Sequence, residues 1–223
     1  TDINTLAPIY DSNSDIDLDL VAFFTTDLKI AQRCLNINNL EKRIIGITLI
    51  NELCNLIYEI ENKISMYCQI QNFIPLLKMK TNITIDFLVN TMRIYDIIFG
   101  ENIHEAVISK SSFILKFLYK KGKFDTEHIM SLWKLSQEKH QSISESILNV
   151  LRDLIPIFSI EHCSFIITMI NTMSLKEINE ATLNLLENVG DNLTSNEQKE
   201  NFIKVLFKLS NENENDNGLA INI

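Results

Sequence analysis

The sequence predicts an all-α protein, an α-solenoid in which about ten helices stack as hairpins. The first observation is a shortage of turn residues. The 223 residues include five Gly and three Pro, where average usage would give about 27. Strand-rich sandwiches, barrels and glycine-cradled nucleotide folds need more of both residues. With 46% hydrophobic residues, the chain can still bury a core.

Helix start signals recur at regular spacing, which is the second observation. Three segments fit the capping box, in which a hydroxyl accepts the N3 amide proton and an acid reaches back to the N-cap amide. They are Ser142–Glu145, Ser174–Glu177 and Thr194–Glu197. Asp125 and Ser159 are predicted as plain N-caps. Successive starts lie 15 to 20 residues apart, and pairs of intervals come to 32 to 35 residues, the period of stacked helix hairpins.

Apolar residues recur at helical spacing, which is the third observation. Further helices are predicted near 16–35, 39–63, 82–98, 103–121 and 195–209. The helix over 39–63 carries two apolar stripes. One contains Ile44, Ile47, Cys54 and Ile57, and the other contains Ile45, Leu49, Leu53, Leu56, Ile60 and Ile64. A helix that is apolar on two faces packs on two sides, as an inner helix of a stacked array does.

The chain is expected to have three parts. Residues 1–14 form an acidic N-terminal extension, residues 15–209 form the solenoid scaffold domain, and residues 210–223 form a disordered, acidic and Asn-rich tail or linker. Because the chain begins with Thr1 rather than Met, we expect it to be a piece of a longer protein.

The charge pattern argues against binding to nucleic acid. The net charge is −9, and both ends are acidic without a compensating Lys or Arg. Residues 1–19 contain five acidic residues and residues 209–223 contain three, which leaves 20 basic against 21 acidic residues between them. A nucleic-acid-binding protein would instead show a basic stripe. We therefore expect protein partners and no nucleic acid.

Four cysteines are interpreted as small buried hydrophobes in a reducing compartment. Cys34, Cys54, Cys68 and Cys163 contain no CxxC pair. The longest uncharged runs have 14 residues, whereas a membrane span needs about 18. We expect a soluble protein without membrane insertion, located in the cytoplasm, with the nucleus as a second compartment. The oligomeric state stays open.

A search for catalytic and metal-binding patterns predicts no catalytic residue, no metal and no cofactor. His162 and Cys163 are adjacent, but consecutive helical residues point about 100° apart and cannot form a nucleophile–base pair. The four histidines lack HExxH spacing, and neither GxxxxGK[ST] nor GxGxxG occurs.

Two surface features are candidates for partner binding. Lys110, Lys116, Lys120, Lys121 and Lys123 form a basic cluster at the end of a helix. This cluster is either a solvated helix end, where cations suit the helix dipole, or a docking patch for an acidic partner segment. Trp133 is predicted to anchor the core, with an exposed hot spot as the alternative.

Several segments together resemble the armadillo/HEAT-like helical region of the giant ubiquitin-specific proteases, the group that includes the fat-facets-type enzymes and their larger relatives. The segments are Leu40–Glu52, Ile97–His104, Ile108–Leu118, Thr126–Trp133, Gln137–His140 and Ile147–Leu154. The resemblance covers roughly residues 35–190. It departs from the family pattern at two places: an Arg-Ser pair reads Lys110-Ser111 here, and a Gly-Lys-His-Glu turn reads Glu138-Lys139-His140-Gln141.

The resemblance implies a non-catalytic interaction scaffold belonging to a large cysteine-type deubiquitinase. The cysteine and histidine boxes of such an enzyme do not occur around the four cysteines, so the catalytic domain would lie outside this chain. The predicted partner-binding residues are Lys116, Lys120, Lys121, Lys123 and His140, and the partners would be substrates or adaptors of the enzyme. The alternatives are an independent HEAT/armadillo adaptor without a protease domain and a helical enzyme that uses unrecognised carboxylates or histidines.

Overall fold

The computed structural model describes residues 15–66, 74–100, 102–194 and 196–215, and the regular elements within these ranges are all helical. The chain divides into two compact units, one up to Lys123 and one from Phe124. The described part contains ten α-helices, so the prediction of an all-α protein with about ten helices is confirmed. The predicted extension at 1–14 lies outside the described residues.

The first unit contains α1 to α5. They span Asp15–Asn36 (α1), Leu40–Met66 (α2), Ile74–Asp86 (α3), Ile94–Phe99 (α4) and Glu105–Lys120 (α5). A π-helix, Phe87–Thr91, continues α3 directly. These bounds confirm the helices predicted near 16–35, 39–63 and 103–121.

Helix α2 is the centre of the first unit, because it packs against both α1 and α5. Of the first predicted stripe, Ile47, Cys54 and Ile57 are buried, whereas Ile44 is half-buried. The second stripe is only partly buried, with Leu53 inside the core and Ile45 and Leu56 exposed. The neighbours of α2 therefore leave part of its second apolar face uncovered.

A short loop and a close helix contact hold α1 and α2 together. The loop between them ends at Asn39, whose side chain accepts a hydrogen bond from the amide of Lys42 at 3.0 Å, an N-cap for α2. Gly46 of α2 lies against Ala31 and Leu35 of α1. A Cβ atom at this position would lie 2.7 Å from Cγ of Leu35 and 2.8 Å from the carbonyl oxygen of Ala31.

The prediction of one helix over 82–98 is wrong, because the chain leaves the helical path between the π-helix and α4. The amide of Met92 bonds to the carbonyl of Phe87 at 2.7 Å, which is the π-helical register. Arg93 then adopts a left-handed backbone with φ 54° and ψ 55°. No Gly or Pro marks this break in the sequence, so the local pattern gave no signal for it.

The second unit contains α6 to α10. They span Thr126–Glu138 (α6), Gln141–Leu154 (α7), Ile160–Asn171 (α8), Glu180–Asp191 (α9) and Asn196–Asn215 (α10). Short 3₁₀ turns occur at Ile155–Ile157 and Leu175–Glu177. Helix α7 packs against α6 and α9, and α8 packs against α9 and α10. Trp133 is 7% exposed, which confirms its prediction as a core anchor.

The N-caps predicted at Asp125 and Ser159 are confirmed, since their side chains accept the amide protons of His128 and His162, respectively. The capping box predicted at Ser142–Glu145 is wrong. Helix α7 begins earlier, at Gln141, and the Glu145 carboxylate instead accepts a hydrogen bond from the side-chain amide of Gln141 at 2.8 Å.

At Ser174–Glu177 the predicted box forms only in part. Glu177 accepts both the amide and the hydroxyl proton of Ser174 at 2.9 Å, but the segment makes a 3₁₀ turn rather than an α-helix. Helix α9 begins later, with Asn179 as its N-cap. The box predicted at Thr194–Glu197 includes Ser195, which lies outside the described residues.

Helix α10 runs to Asn215, past residue 209, where the sequence analysis placed the end of the scaffold domain. Residues 210–215 are therefore helical, and the remainder of the predicted tail, 216–223, lies outside the described residues.

Candidate functional site

The adjacent His162 and Cys163 are committed to structural contacts in the second unit. His162 Nε2 lies 3.1 Å from the Thr126 hydroxyl, and its ring packs edge-on against Phe158 with centroids 5.7 Å apart. Cys163 is buried, and burial raises the pKa of its thiol. Because a protonated thiol is a poor nucleophile, the pair is not arranged for thiol catalysis.

The remaining described cysteines and acidic groups form no metal centre in the described ranges. No cluster of three His, Cys, Asp or Glu side chains occurs there. Cys54 is fully buried in the first unit, and burial raises the pKa of its thiol far above the usual range. This cysteine is therefore a core side chain. No described helix is both long and apolar enough to cross a bilayer.

Two other histidines cap helices. His104 Nδ1 accepts the amide proton of Ala106 at 3.2 Å and so caps α5. His128 Nδ1 lies 2.7 Å from the Asp125 carboxylate, which also accepts the amides of Glu127 and His128. The hydrogen bond from the His128 side chain is the main reason that the pKa of Asp125 is lowered.

Lys120, Lys121 and Lys123 of the predicted docking patch lie at the C-terminal end of α5, whereas Lys110 lies in its first half, and Lys120 and Lys121 have partners on α2. The Lys121 ammonium donates to both carboxylate oxygens of Glu61, at 2.6 and 2.7 Å. Both side chains are about a quarter exposed, at 23% and 26%. Lys120 donates to the Tyr58 hydroxyl at 2.9 Å, which lowers the pKa of that phenol.

The other predicted partner-binding residues differ in their exposure. Lys123 follows α5 and is exposed, and its carbonyl oxygen accepts a hydrogen bond from the Tyr95 hydroxyl. Lys116 is half-buried, whereas Lys110 is exposed. His140 is in the second unit, exposed at the N-cap position of α7, and its side chain makes no capping bond. A role of these residues in partner binding stays a prediction.

A groove in the first unit lies beside these lysines, with a cavity volume of about 590 Å³. We call it the α3 groove. One wall is formed by α3 and by Val89 and Asn90 of the π-helix, and the other by Glu61 of α2 and by Lys121 and Lys123. Thr81 joins the walls, since its hydroxyl donates to Glu61 at 3.0 Å.

The α3 wall was not found by the sequence analysis. It contributes Lys78, Asn82 and Asn90, as well as the apolar side chains of Ile85 and Val89. Lys78 is 43 residues before Lys121 in the sequence, so no local pattern connects them. The predicted basic cluster included Lys121 and Lys123 and thus one wall of the groove.

Comparison with known proteins matches most of the chain to one family. The family described as the UBP24/USP9X/USP9Y ARM repeat matches residues 22–219. Ubiquitin carboxyl-terminal hydrolase 34 from Homo sapiens and its counterpart from Mus musculus are each 32% identical to the chain over 74 residues. The match covers 32% of this chain and 2% of each relative's length. No solved structure matches significantly.

Proposed function

The chain belongs to the UBP24/USP9X/USP9Y ARM-repeat family, and we propose that it is the non-catalytic interaction scaffold of a large ubiquitin carboxyl-terminal hydrolase. In this proposal the helix faces hold substrates or adaptors of the enzyme, and the catalytic domain lies elsewhere in the same protein. The single observation that carries the proposal is the family match over residues 22–219.

The chemistry of the described residues supports a scaffold rather than an enzyme. The thiols of Cys54 and Cys163 are held neutral by burial, and His104, His128 and His162 cap helices or pack against aromatic rings. Stacked helical repeats provide extended surfaces, on which a few buried anchors supply most of the affinity for a partner.

The proposal is tested in the full-length protein encoded by the same gene. Deleting residues 22–219 should leave hydrolysis of a fluorogenic ubiquitin C-terminal amide within about twofold, because this small substrate needs only the catalytic domain. The same deletion should strongly reduce removal of ubiquitin from protein substrates, because their positioning contributes to the rate. Equal activity of both forms on protein substrates would refute the scaffold role.

Two other results of the same work would change the assignment. An open reading frame without a protease domain would favour an independent armadillo adaptor. Hydrolysis of the fluorogenic amide by this chain alone would show that the chain is itself an enzyme.

We also propose the cytoplasm as the main location, with the nucleus as a second compartment. The support is that Cys34, Cys54 and Cys163 are free thiols, as is usual in reducing compartments. Imaging of the fluorescently tagged full-length protein tests this, and an exclusively secretory-pathway signal would refute it.

A further inference from the structure

The α3 groove contains two ammonium groups that the described part of the chain does not neutralise. Lys121 is paired with Glu61, and the Asp86 carboxylate accepts a hydrogen bond from Asn90 at 2.6 Å. Lys78 and Lys123 are exposed, and neither has an ion-pair partner among the described residues. The groove therefore offers two unpaired ammonium groups, on opposite walls, to a ligand, while the carboxylate of Asp86 keeps its negative charge beside them.

Between these charges the groove combines an apolar surface with an amide. Ile85 is 8% exposed and Val89 is half-buried, so both leave part of their side chains at the groove. Asn82 is exposed, and its amide can both donate to and accept from a peptide main chain. An extended peptide with one apolar side chain and flanking carboxylates matches this arrangement.

The backbone of the α3 wall is unusual at the same place. Asn90 and Val89 lie in the π-helix, and π-helical turns are frequent at functional sites. Arg93 follows with a positive φ of 54°, a conformation that is costly for a residue with a Cβ atom.

The amount of charge selects the class of ligand. A nucleic-acid site neutralises about 6 to 10 phosphates with as many cations, whereas this groove supplies two uncompensated ammonium groups beside the acidic residue Asp86. A short segment with two carboxylates needs no more than two such cations.

We propose that the α3 groove binds an acidic segment of a protein partner in an extended conformation, with Lys78 and Lys123 as its charge anchors. This proposal rests on the proposed scaffold function and names the partner chemistry of one site.

The test selects ligands without assuming a sequence. Short random peptides displayed on phage are selected on the immobilised full chain, and the enriched peptides are synthesised with a fluorescent label. We expect enriched peptides with several Glu or Asp residues around one apolar residue. Anisotropy titrations should show weaker binding as salt is raised, because exposed charge pairs are screened.

Matched variants locate the binding site. The double variant Lys78→Glu/Lys123→Glu should raise the Kd by about tenfold or more, since it replaces two attractions with two repulsions. Lys78→Arg/Lys123→Arg should bind like the parent, because the charge is kept. The control Lys29→Glu/Lys42→Glu makes the same change of charge at two exposed positions of the first unit outside the groove and the lysine cluster, and should bind within about twofold of the parent.

Several outcomes would overturn the groove proposal. They are selection of no peptide, selection of peptides without an acidic excess, unchanged binding by the Lys78→Glu/Lys123→Glu variant, and an equal loss in the control. Thermal unfolding followed by circular dichroism identifies a variant that loses binding because it is unfolded. If Lys78→Glu/Lys123→Glu is unfolded, Lys78→Ala/Lys123→Ala replaces it, and its Kd should also rise. If one of these outcomes refutes the groove proposal while deletion of residues 22–219 still impairs cleavage of protein substrates, the scaffold role stands and its binding surface lies elsewhere.

Discussion

The ion pair between Lys121 and Glu61 should stabilise the first unit more than an ordinary surface pair does. Both side chains are about a quarter exposed, the ammonium contacts both carboxylate oxygens, and Thr81 adds a hydrogen bond to the carboxylate. Exposed pairs contribute about 0.2–1 kcal/mol, whereas breaking a fully buried pair costs about 3–5 kcal/mol. The contribution of this partly buried pair to the free energy of unfolding should lie between these limits.

We therefore expect Lys121→Met to lower the free energy of unfolding by about 1.5 kcal/mol, because it removes the charge partner of a half-buried carboxylate. Glu61→Gln should cost about 1 kcal/mol, since the amide oxygen can still accept from Thr81. The coupling energy from the double-mutant cycle should be about 1 kcal/mol and should decrease, but not vanish, in high salt.

Urea unfolding followed by far-ultraviolet circular dichroism measures these changes, and the fluorescence of Trp133 separately reports the second unit, where that residue lies. Lys120→Met is the matched control. Its ammonium contacts the exposed face of Tyr58, with the nitrogen 4.3 Å from the ring centroid, and its loss should cost no more than about 0.5 kcal/mol. Equal effects of Lys120→Met and Lys121→Met, or a coupling energy below about 0.3 kcal/mol, would refute the reasoning.

Three further changes give expected outcomes in the same unfolding assays. Asp125→Ala should cost about 1 kcal/mol near neutral pH, because the N-cap of α6 is lost. Its folded-state pKa is lowered by His128, so this stabilisation is present above the unfolded pKa of about 3.9 and disappears as the pH falls through the folded value. Gly46→Ala should cost about 1–2 kcal/mol, since the clash with the Ala31 carbonyl outweighs about 1 kcal/mol of helix propensity. Phe207→Ser should change stability by about 0.5 kcal/mol or less, because this ring is 62% exposed.

Each of these changes has a control in the second unit. Asp191→Asn, at the end of α9, removes an acid without a capping role, and an effect as large as that of Asp125→Ala would contradict the capping argument. A Cβ atom at Gly190 would meet the movable ring end of Phe202 at 2.8 Å, so Gly190→Ala should cost less than Gly46→Ala. Val205→Ala, at a side chain 4% exposed, should cost more than Phe207→Ser, and the reverse order would contradict the burial assignments.

Local sequence signals predicted elements well where the partner of each signal is nearby. Asp125 and Ser159 were predicted as N-caps because a capping bond spans only two or three residues, and the structure contains both bonds. The same rule failed at Ser142, because the Glu145 carboxylate accepts a hydrogen bond from the side chain of Gln141. The sequence pattern there fits a helix that begins at Gln141 or one residue later, and the two starts differ little in free energy.

The candidate groove could be predicted only in part, for a different reason. Lys121 and Lys123 were found because lysines cluster in the sequence at the end of α5. Glu61 and Lys78 were not found, since they reach the groove from other helices. Whether a lysine is paired depends on what packs beside it: Lys121 is neutralised by Glu61, whereas Lys123 is not.

The helical class could be predicted from sequence alone, because scarce Gly and Pro together with apolar periodicity leave an amphipathic helix as the way to bury these side chains. The sequence also showed the resemblance to armadillo-like scaffolds, which the family match confirms. The break at Arg93, the close contact at Gly46 and the walls of the α3 groove became visible only in the folded chain. These features depend on contacts between residues far apart in the chain, and such contacts override local backbone preferences only once the helices have packed.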